Sequence, residues 1–259
     1  MDIRLDGRCA LITGGSAGLG LAMGRLFASS GARVGLVGRQ VAALEKAKNE
    51  IEHSGGQVAV CSSDITTLEG CTHAYDAITE ALGAPDILIN NAGSSMRGPF
   101  LSVSDQDWQD DLDLKLFGAV RLSRLVLPHM RAQKWGRIIN VLNVAAKMPE
   151  ADGAPTAVSR AAGMALMKIL AHENAPYNVL VNAMLVGKIR SSQWERRHAK
   201  ADDGSTLEQW YAQQGAKLPM GRLGNAEEFA SLACFLASDA GSYISGTAIN
   251  VDGALSRAV

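Results

Sequence analysis

Residues Arg8 to Leu26 read R-C-A-L-I-T-G-G-S-A-G-L-G-L-A-M-G-R-L. The apolar run Cys9–Ile12 reads as a strand, Thr13-Gly14 ends it, and an apolar helical pattern follows the turn. Gly14, Gly18 and Gly20 fall within that turn. Glycine at these places lets the chain fold back tightly and lets a phosphate group approach the backbone. The N–H groups that open the following helix then face an anion, with the helix dipole behind them. A plain strand-to-helix turn would not need so many glycines, and here the strand before and the helix after are the context the motif requires.

Outward from this stretch, short β-type runs alternate with helical patterns. Strands are expected at Ala32–Val37, Gln57–Ser62, Asp86–Asn90, Gly136–Leu142, Asn178–Leu185 and Ala248–Val251. Helices are expected at Val41–His53, which stops at Ser54-Gly55-Gly56, and at Leu68–Leu82, Asp105–Gln133, Pro155–Ala175 and Ala226–Ala237. Pro128 is expected to bend or loosen the long helix that contains it. Residues 188–221 read as polar, charged and irregular, a segment suited to a lid. The strands are apolar on both faces, which suits a parallel sheet covered by helices on both sides. The fold class is therefore α/β, a single doubly wound domain over 1–259. Gly14, Gly38, Asp64, Asn91, Asn143 and Gly187 fall at strand ends and are expected to line one crevice.

Composition narrows the classes. The chain has 259 residues, 47% hydrophobic and 20% charged, which suits a globular protein with a sizeable core. A net charge of −1 at pH 7 gives no global field to recruit nucleic acid or an anionic membrane. No window approaches the ~18 uninterrupted apolar residues of a spanning helix, and the first residues carry no secretory pattern. The four cysteines are scattered without a C-x-x-C, as expected of buried free thiols in a reducing compartment, so a cytoplasmic location is the expectation. The five histidines show no metal spacing, and no metal is expected.

Several segments, taken together, resemble the short-chain dehydrogenase/reductase family. They are L-D-G-R-C-A-L-I-T-G-G-S-A-G-L-G (Leu5–Gly20), N-N-A-G (Asn90–Gly93), L-V-L-P-H-M (Leu125–Met130) and G-R-I-I-N-V (Gly136–Val141). The tail runs from G-R-L-G-N-A-E-E-F-A (Gly221–Ala230) through F-L-A-S-D to Y-I-S-G and V-D-G. The resemblance implies a Rossmann-like fold and a nicotinamide dinucleotide. Its phosphates would lie on the loop of Thr13, Gly14, Ser16, Gly18, Leu19 and Gly20. Asp64 would lie near the adenine, Asn91, Ala92 and Gly93 near the adenosine ribose, and Gly187, Ile189 and Ser191 near the nicotinamide. The family's usual Pro and Thr in that last loop are here Val186 and Ser191. An acidic residue ending the second strand would hold a free ribose 2′-hydroxyl. This chain has Gly38 and then Arg39, whose guanidinium suits a 2′-phosphate. NADP(H) is favoured and NAD(H) is the alternative. Family members are commonly dimers or tetramers, so a homo-oligomer is expected.

The same alignment places different residue types at the family's four catalytic positions. Family enzymes use a Tyr and a Lys in Y-x-x-x-K, a Ser before the Tyr, and often an Asn. Here Thr156 stands at the Tyr position, Arg160 at the Lys position, Asn143 at the Ser position and Lys115 at the Asn position. A Thr hydroxyl is far less acidic than a phenol, and an arginine neither gives nor takes a proton near neutrality. Asn143 still offers an N–H to a carbonyl, and Arg160 can hold a ribose hydroxyl or polarise an oxygen. Lys115, Lys147 and, from the lid, Tyr211 are candidate proton groups.

Arg97, Lys115, Lys147, Arg160, Lys188 and Arg190 are expected at or near the crevice, with Arg196 and Arg197 in the lid. This charge suggests a substrate bearing a carboxylate or phosphate; pairing with Glu150, Asp152 and Glu195 is the competing reading. The function expected is oxidoreduction of a carbonyl or hydroxyl compound with a non-standard proton path. The alternative is a cofactor-binding protein without turnover, acting as sensor or partner subunit.

Overall fold

The computed structural model describes residues 3–201 and 204–259. Residues 202 and 203, inside the segment expected to form a lid, lie outside the described residues.

In chain order the elements are β1 (Cys9–Thr13), α1 (Gly18–Ser29), β2 (Arg33–Gly38), α2 (Val41–His53), β3 (Gln57–Ser62), α3 (Leu68–Leu82) and β4 (Ile87–Asn90). There follow β5 (Arg97–Gly98), α4 (Asp105–Leu112), a π-helical turn (Asp113–Phe117), α5 (Gly118–Ala132), β6 (Gly136–Asn143), β7 (Ala154–Pro155) and α6 (Thr156–Asn174). The chain continues through β8 (Val179–Val186), α7 (Ser192–Ala201), α8 (Leu207–Gly215), α9 (Ala226–Ala237) and β9 (Ala248–Val251).

Seven strands form one sheet in the order β3-β2-β1-β4-β6-β8-β9, every neighbouring pair parallel. The two-residue β5 and β7 pair separately and antiparallel. Strand order reverses between β1 and β4, and the crevice beyond their carboxyl ends is where such sheets bind ligands. Alternate residues of each strand serve two cores. Ala10, Ile12, Ile87 and Ile89 face α1, α2 and α9, whereas Cys9, Leu11 and Leu88 face α3, α5 and α6. Strands buried on both faces account for the unbroken apolar runs in the sequence. All four cysteines are free and buried, and burial pushes the Cys9 thiol up to about 12 and the Cys71 thiol up to about 11. Among the described residues no helix is long and apolar enough to cross a membrane.

Two expectations are corrected. The long helix over Asp105–Gln133 is not uniform. A capping box opens it, with Ser104 Oγ accepting from the Asp107 N–H and the Asp107 carboxylate accepting from the Ser104 N–H. After Leu112 its turns widen to π geometry for five residues before α5 resumes. Pro128 sits inside α5, which runs unbroken from Gly118 to Ala132. The segment 188–221 is not irregular either. It forms α7 and α8, which build a small core of their own from Trp210, Tyr211 and Leu223 with Trp194, Leu207 and Leu218 against it. Its apolar residues pair mainly with one another, so they leave no sheet-directed periodicity in the sequence.

Candidate active site

The turn after β1 is tied to the end of β4. Thr13 Oγ1 accepts the N–H groups of Asn91 and Ala92, each at 3.0 Å, and donates to the Ile89 carbonyl at 3.3 Å. The Asn91 amide donates to the carbonyls of Thr13 (2.9 Å) and Gly14 (3.2 Å). Gly14 takes φ +64°, and a Cβ there would press on the Ala92 backbone at 3.0 Å. A Cβ on Gly20 would run into the Gly14 carbonyl. The glycines therefore let helix and turn come together. Ala17, the N-cap of α1, has no capping side chain, and the first turn carries no acidic residue. Its leading N–H groups face the crevice mouth.

Two adjoining clefts open there. The smaller, about 270 Å³, takes its walls from Ser16, Gly38, Arg39, Ser63 and Asp64. The larger, about 620 Å³, has Asn143, Thr156, Arg160, Val186 and Ser191 on one side and Arg196, Arg197 and Lys200 of α7 on another. Gly14, Ala92, Gly93 and Ser94 are common to both. Leu19 and Asn91 also line the larger cleft, and Thr13 the smaller. Of the remaining loop residues, Gly187 packs against Asp252 and Ile189 is buried in the core. The bridge beside Ile189 is made by the Lys188 carbonyl and the Arg190 N–H, so the Ile189 N–H is not used in it.

Thr156, Lys115 and Arg160 are brought together, with Asp111 and Ser159 added. Lys115 has no exposed side-chain surface and forms an ion pair with Asp111, itself 1% exposed. Lys115 Nζ also donates to Thr156 Oγ1 at 2.7 Å, and Ser159 Oγ donates to Asp111 Oδ2 at 2.6 Å. Thr156 Oγ1 accepts the Met96 N–H at 3.1 Å and lies 2.7 Å from the Met96 carbonyl, to which it donates. Both lone pairs and the proton of this hydroxyl are thus engaged. Burial pushes the Lys115 ammonium down from 10.5 to about 8, with Arg160 adding to the fall and Asp111 opposing it. Burial likewise pulls Arg160 down to about 10, against Asp111. Arg160 Nη1 donates to the Val141 carbonyl at 2.7 Å, and its other terminal nitrogen lies against Gly93. Arg160 Nε and Asn143 Oδ1 are buried without a partner among the described residues. Such atoms are costly unless a ligand or water meets them.

The other expected cations go elsewhere. Lys147 donates to the Ala248 carbonyl at 2.8 Å, Arg97 pairs with Glu150 at 3.6 Å, and Arg190 pairs with Glu208 at 3.0 Å. Lys188 sits 6.0 Å over Trp194. Lys115 lies behind the wall and not at the crevice surface. Tyr211 is 5% exposed against Arg190, and desolvation raises its pKa. The sequence reading missed Asp111 and Ser159, whose only signals are D-x-x-x-K and T-x-x-S spacings that many helices share. It also missed Lys200.

The short chain dehydrogenase family matches this chain over residues 8–202. The 3-oxoacyl-(acyl-carrier-protein) reductase FabG of Aquifex aeolicus is 32% identical over 256 residues, covering 98% of this chain and all of its own. The L-sorbose reductase of Gluconobacter frateurii, solved with NADPH and L-sorbose, superposes with a TM-score of 0.95 at 32% identity over the full length of both chains. An NADPH-bound short chain oxidoreductase of Pseudomonas aeruginosa PAO1, described as containing an atypical catalytic center, superposes with a TM-score of 0.90 at 33% identity over 99% of each chain. The turn after β1, its lock onto β4, the crevice at the strand-order reversal and the full-length matches agree: this chain belongs to the short-chain dehydrogenase family.

Proposed function

We infer that the protein is an NADP(H)-dependent oxidoreductase acting on a carbonyl or hydroxyl compound through a non-standard proton path. The observation that carries this is the pair of joined clefts at the sheet's switch point, with Asn143 and Arg160 lining the larger. The residues fit a dinucleotide. The uncapped start of α1 suits its phosphates, Asp64 its adenine end, and the exposed Arg39 beside Ser16 a 2′-phosphate. When bound, the nicotinamide supplies hydride chemistry. The protein's own part is orientation and charge. The Asn143 amide can donate to a substrate oxygen, and the Arg160 guanidinium stabilises developing negative charge. In this reading Asn143, Thr156, Arg160 and Lys115 occupy the family's Ser, Tyr, Lys and Asn positions. Thr156 is not the acid, because its hydroxyl is held by Met96 and Lys115. The proton then comes from water in the cleft, and general acid catalysis worth typically ~10²–10⁴-fold is forgone. Helices α7 and α8 serve as the substrate lid.

The engaged Thr156 hydroxyl also favours a second reading, an NADP(H)-binding sensor or partner subunit without turnover. One experiment separates them. NADPH and NADH are titrated by nicotinamide fluorescence, then a carbonyl panel is followed by loss of nicotinamide absorbance. The expected result is NADPH binding at least about tenfold tighter than NADH, a preference lost in Arg39→Ala, with slow NADPH consumption. Binding without consumption across the panel selects the second reading, and no binding of either nucleotide refutes both. The apolar side chains of Phe117, Val158 and Ile169, exposed on the two long helical segments, support a homodimer or homotetramer.

A further inference from the structure

Among its described residues the larger cleft carries one sign of charge. Its described walls hold Arg160, Arg196, Arg197 and Lys200 and no carboxylate. The nearest buried acid, Asp111, is consumed by Lys115 and Ser159 behind the wall, and Glu195 and Glu208 line a separate hollow with Arg190. A low-dielectric cleft lined by like charges focuses its field and concentrates anions. Arg197 and Lys200 lie three residues apart on α7, and so on one face of the helix. Arg197 is held by aromatic packing, and among the described residues neither is paired with an acid. The Arg197 guanidinium sits 4.7 Å over Trp194, Trp194 packs on Trp210 at 5.6 Å, and His198 packs on Trp210 at 5.8 Å. A guanidinium stacked on an indole keeps its in-plane N–H donors pointed outward for a planar anion. In the preceding reading the dinucleotide's anions would meet the open start of α1 and Arg39.

We propose that Arg197 and Lys200 of α7 bind the carboxylate or phosphate of an acidic carbonyl substrate, so that the cleft selects oxo acids over their neutral esters. The inference rests on the preceding reading that this cleft takes a substrate beside the nicotinamide. Both side chains are exposed, so their replacement removes the Arg197 stack on Trp194 but no buried contact.

The test uses the NADP⁺-saturated protein and equilibrium calorimetry, which needs no turnover. Succinate and phosphonoacetate are titrated against dimethyl succinate, at low and high salt, into the unsubstituted chain and into Arg197→Gln/Lys200→Gln. NADPH affinity of both chains is measured alongside by fluorescence. The expected result is at least about tenfold tighter binding of the acids than of the ester, weakened by salt. The double variant is expected to lose that preference while NADPH affinity changes less than about twofold. If the variant instead loses NADPH affinity and its acid binding is unchanged, the two cations clamp the dinucleotide's pyrophosphate and the proposal is overturned. Equal binding of acid and ester also overturns it. Failure of the preceding reading shows differently, as absent NADPH binding or absent NADPH consumption across the carbonyl panel, and the acid and ester titrations are then scored on the nucleotide-free chain.

Discussion

The Asp111 carboxylate takes a hydrogen bond from Ser159 and an ion pair from Lys115, all of it screened from water. Removing one partner of a buried pair strands the other charge, at a cost of about 3–5 kcal/mol. Asp111→Asn is therefore expected to lower the unfolding free energy by that much, read as a fall in the urea midpoint at unchanged slope, and Lys115→Met in the same chain to recover much of the loss. Unchanged stability in Asp111→Asn would show that the pair carries no folding energy. The pair also imposes a pH dependence. With its folded pKa near 8, below the ordinary 10.5, Lys115 holds its proton more weakly in the folded chain than in the unfolded one. Its contribution to stability thus rises with pH between about 8 and 10.5. The raised thiols of Cys9 and Cys71 act in the opposite sense, because the folded chain keeps their protons longer. The difference between the unsubstituted chain and Lys115→Met isolates the lysine. That difference should grow over this window in favour of the unsubstituted chain, and a flat difference would refute the shift. Asn143, Thr156 and Arg160 could be picked out by aligning the chain with the motifs of the family it resembles. Their chemical state could not, because the Met96 backbone groups that saturate Thr156 come from a loop some sixty residues earlier, joined only by the fold.

At the scale of elements, legibility followed what each segment packs against. Strands β1, β4, β6 and β8 and helices α2, α3 and α9 face the two large cores on either side of the sheet, so their apolar periodicity runs true and their limits were read nearly to the residue. Helices α7 and α8 face mainly each other, and a short amphipathic helix with a private partner looks like charged loop. The start of α8 does carry a local sign. The Thr206 side chain accepts the Gln209 N–H at 3.2 Å, and Gln209 accepts the Thr206 N–H at 2.9 Å. Thr206→Ala is expected to weaken this element by about 1 kcal/mol. Amide exchange should speed up in α8 and leave β1 and β4 unchanged, because a small core of its own opens apart from the sheet. Coordinate acceleration of the strands would mean that α8 and the sheet unfold as one.

Across the whole molecule, the parallel sheet with helices on both faces was legible because its strands are apolar on both sides and its punctuation falls at strand ends. Assembly rests on weaker signs, the exposed Phe117, Val158 and Ile169. Light scattering after size exclusion is expected to give a dimer or tetramer, and Ile169→Glu with Val158→Glu a smaller species. A monomer in the unsubstituted protein would refute this. The five π-helical residues between Leu112 and Gly118 couple these scales. Drawing all five residues in to ordinary α pitch would turn everything downstream by roughly 100°. Leu122, Val126 and Met130 would swing out of the core they fill. The helix can therefore shed its irregularity only by giving up either the inward-facing ammonium or its own seat on the sheet, and the charge behind the cleft wall is locked to the register of the fold.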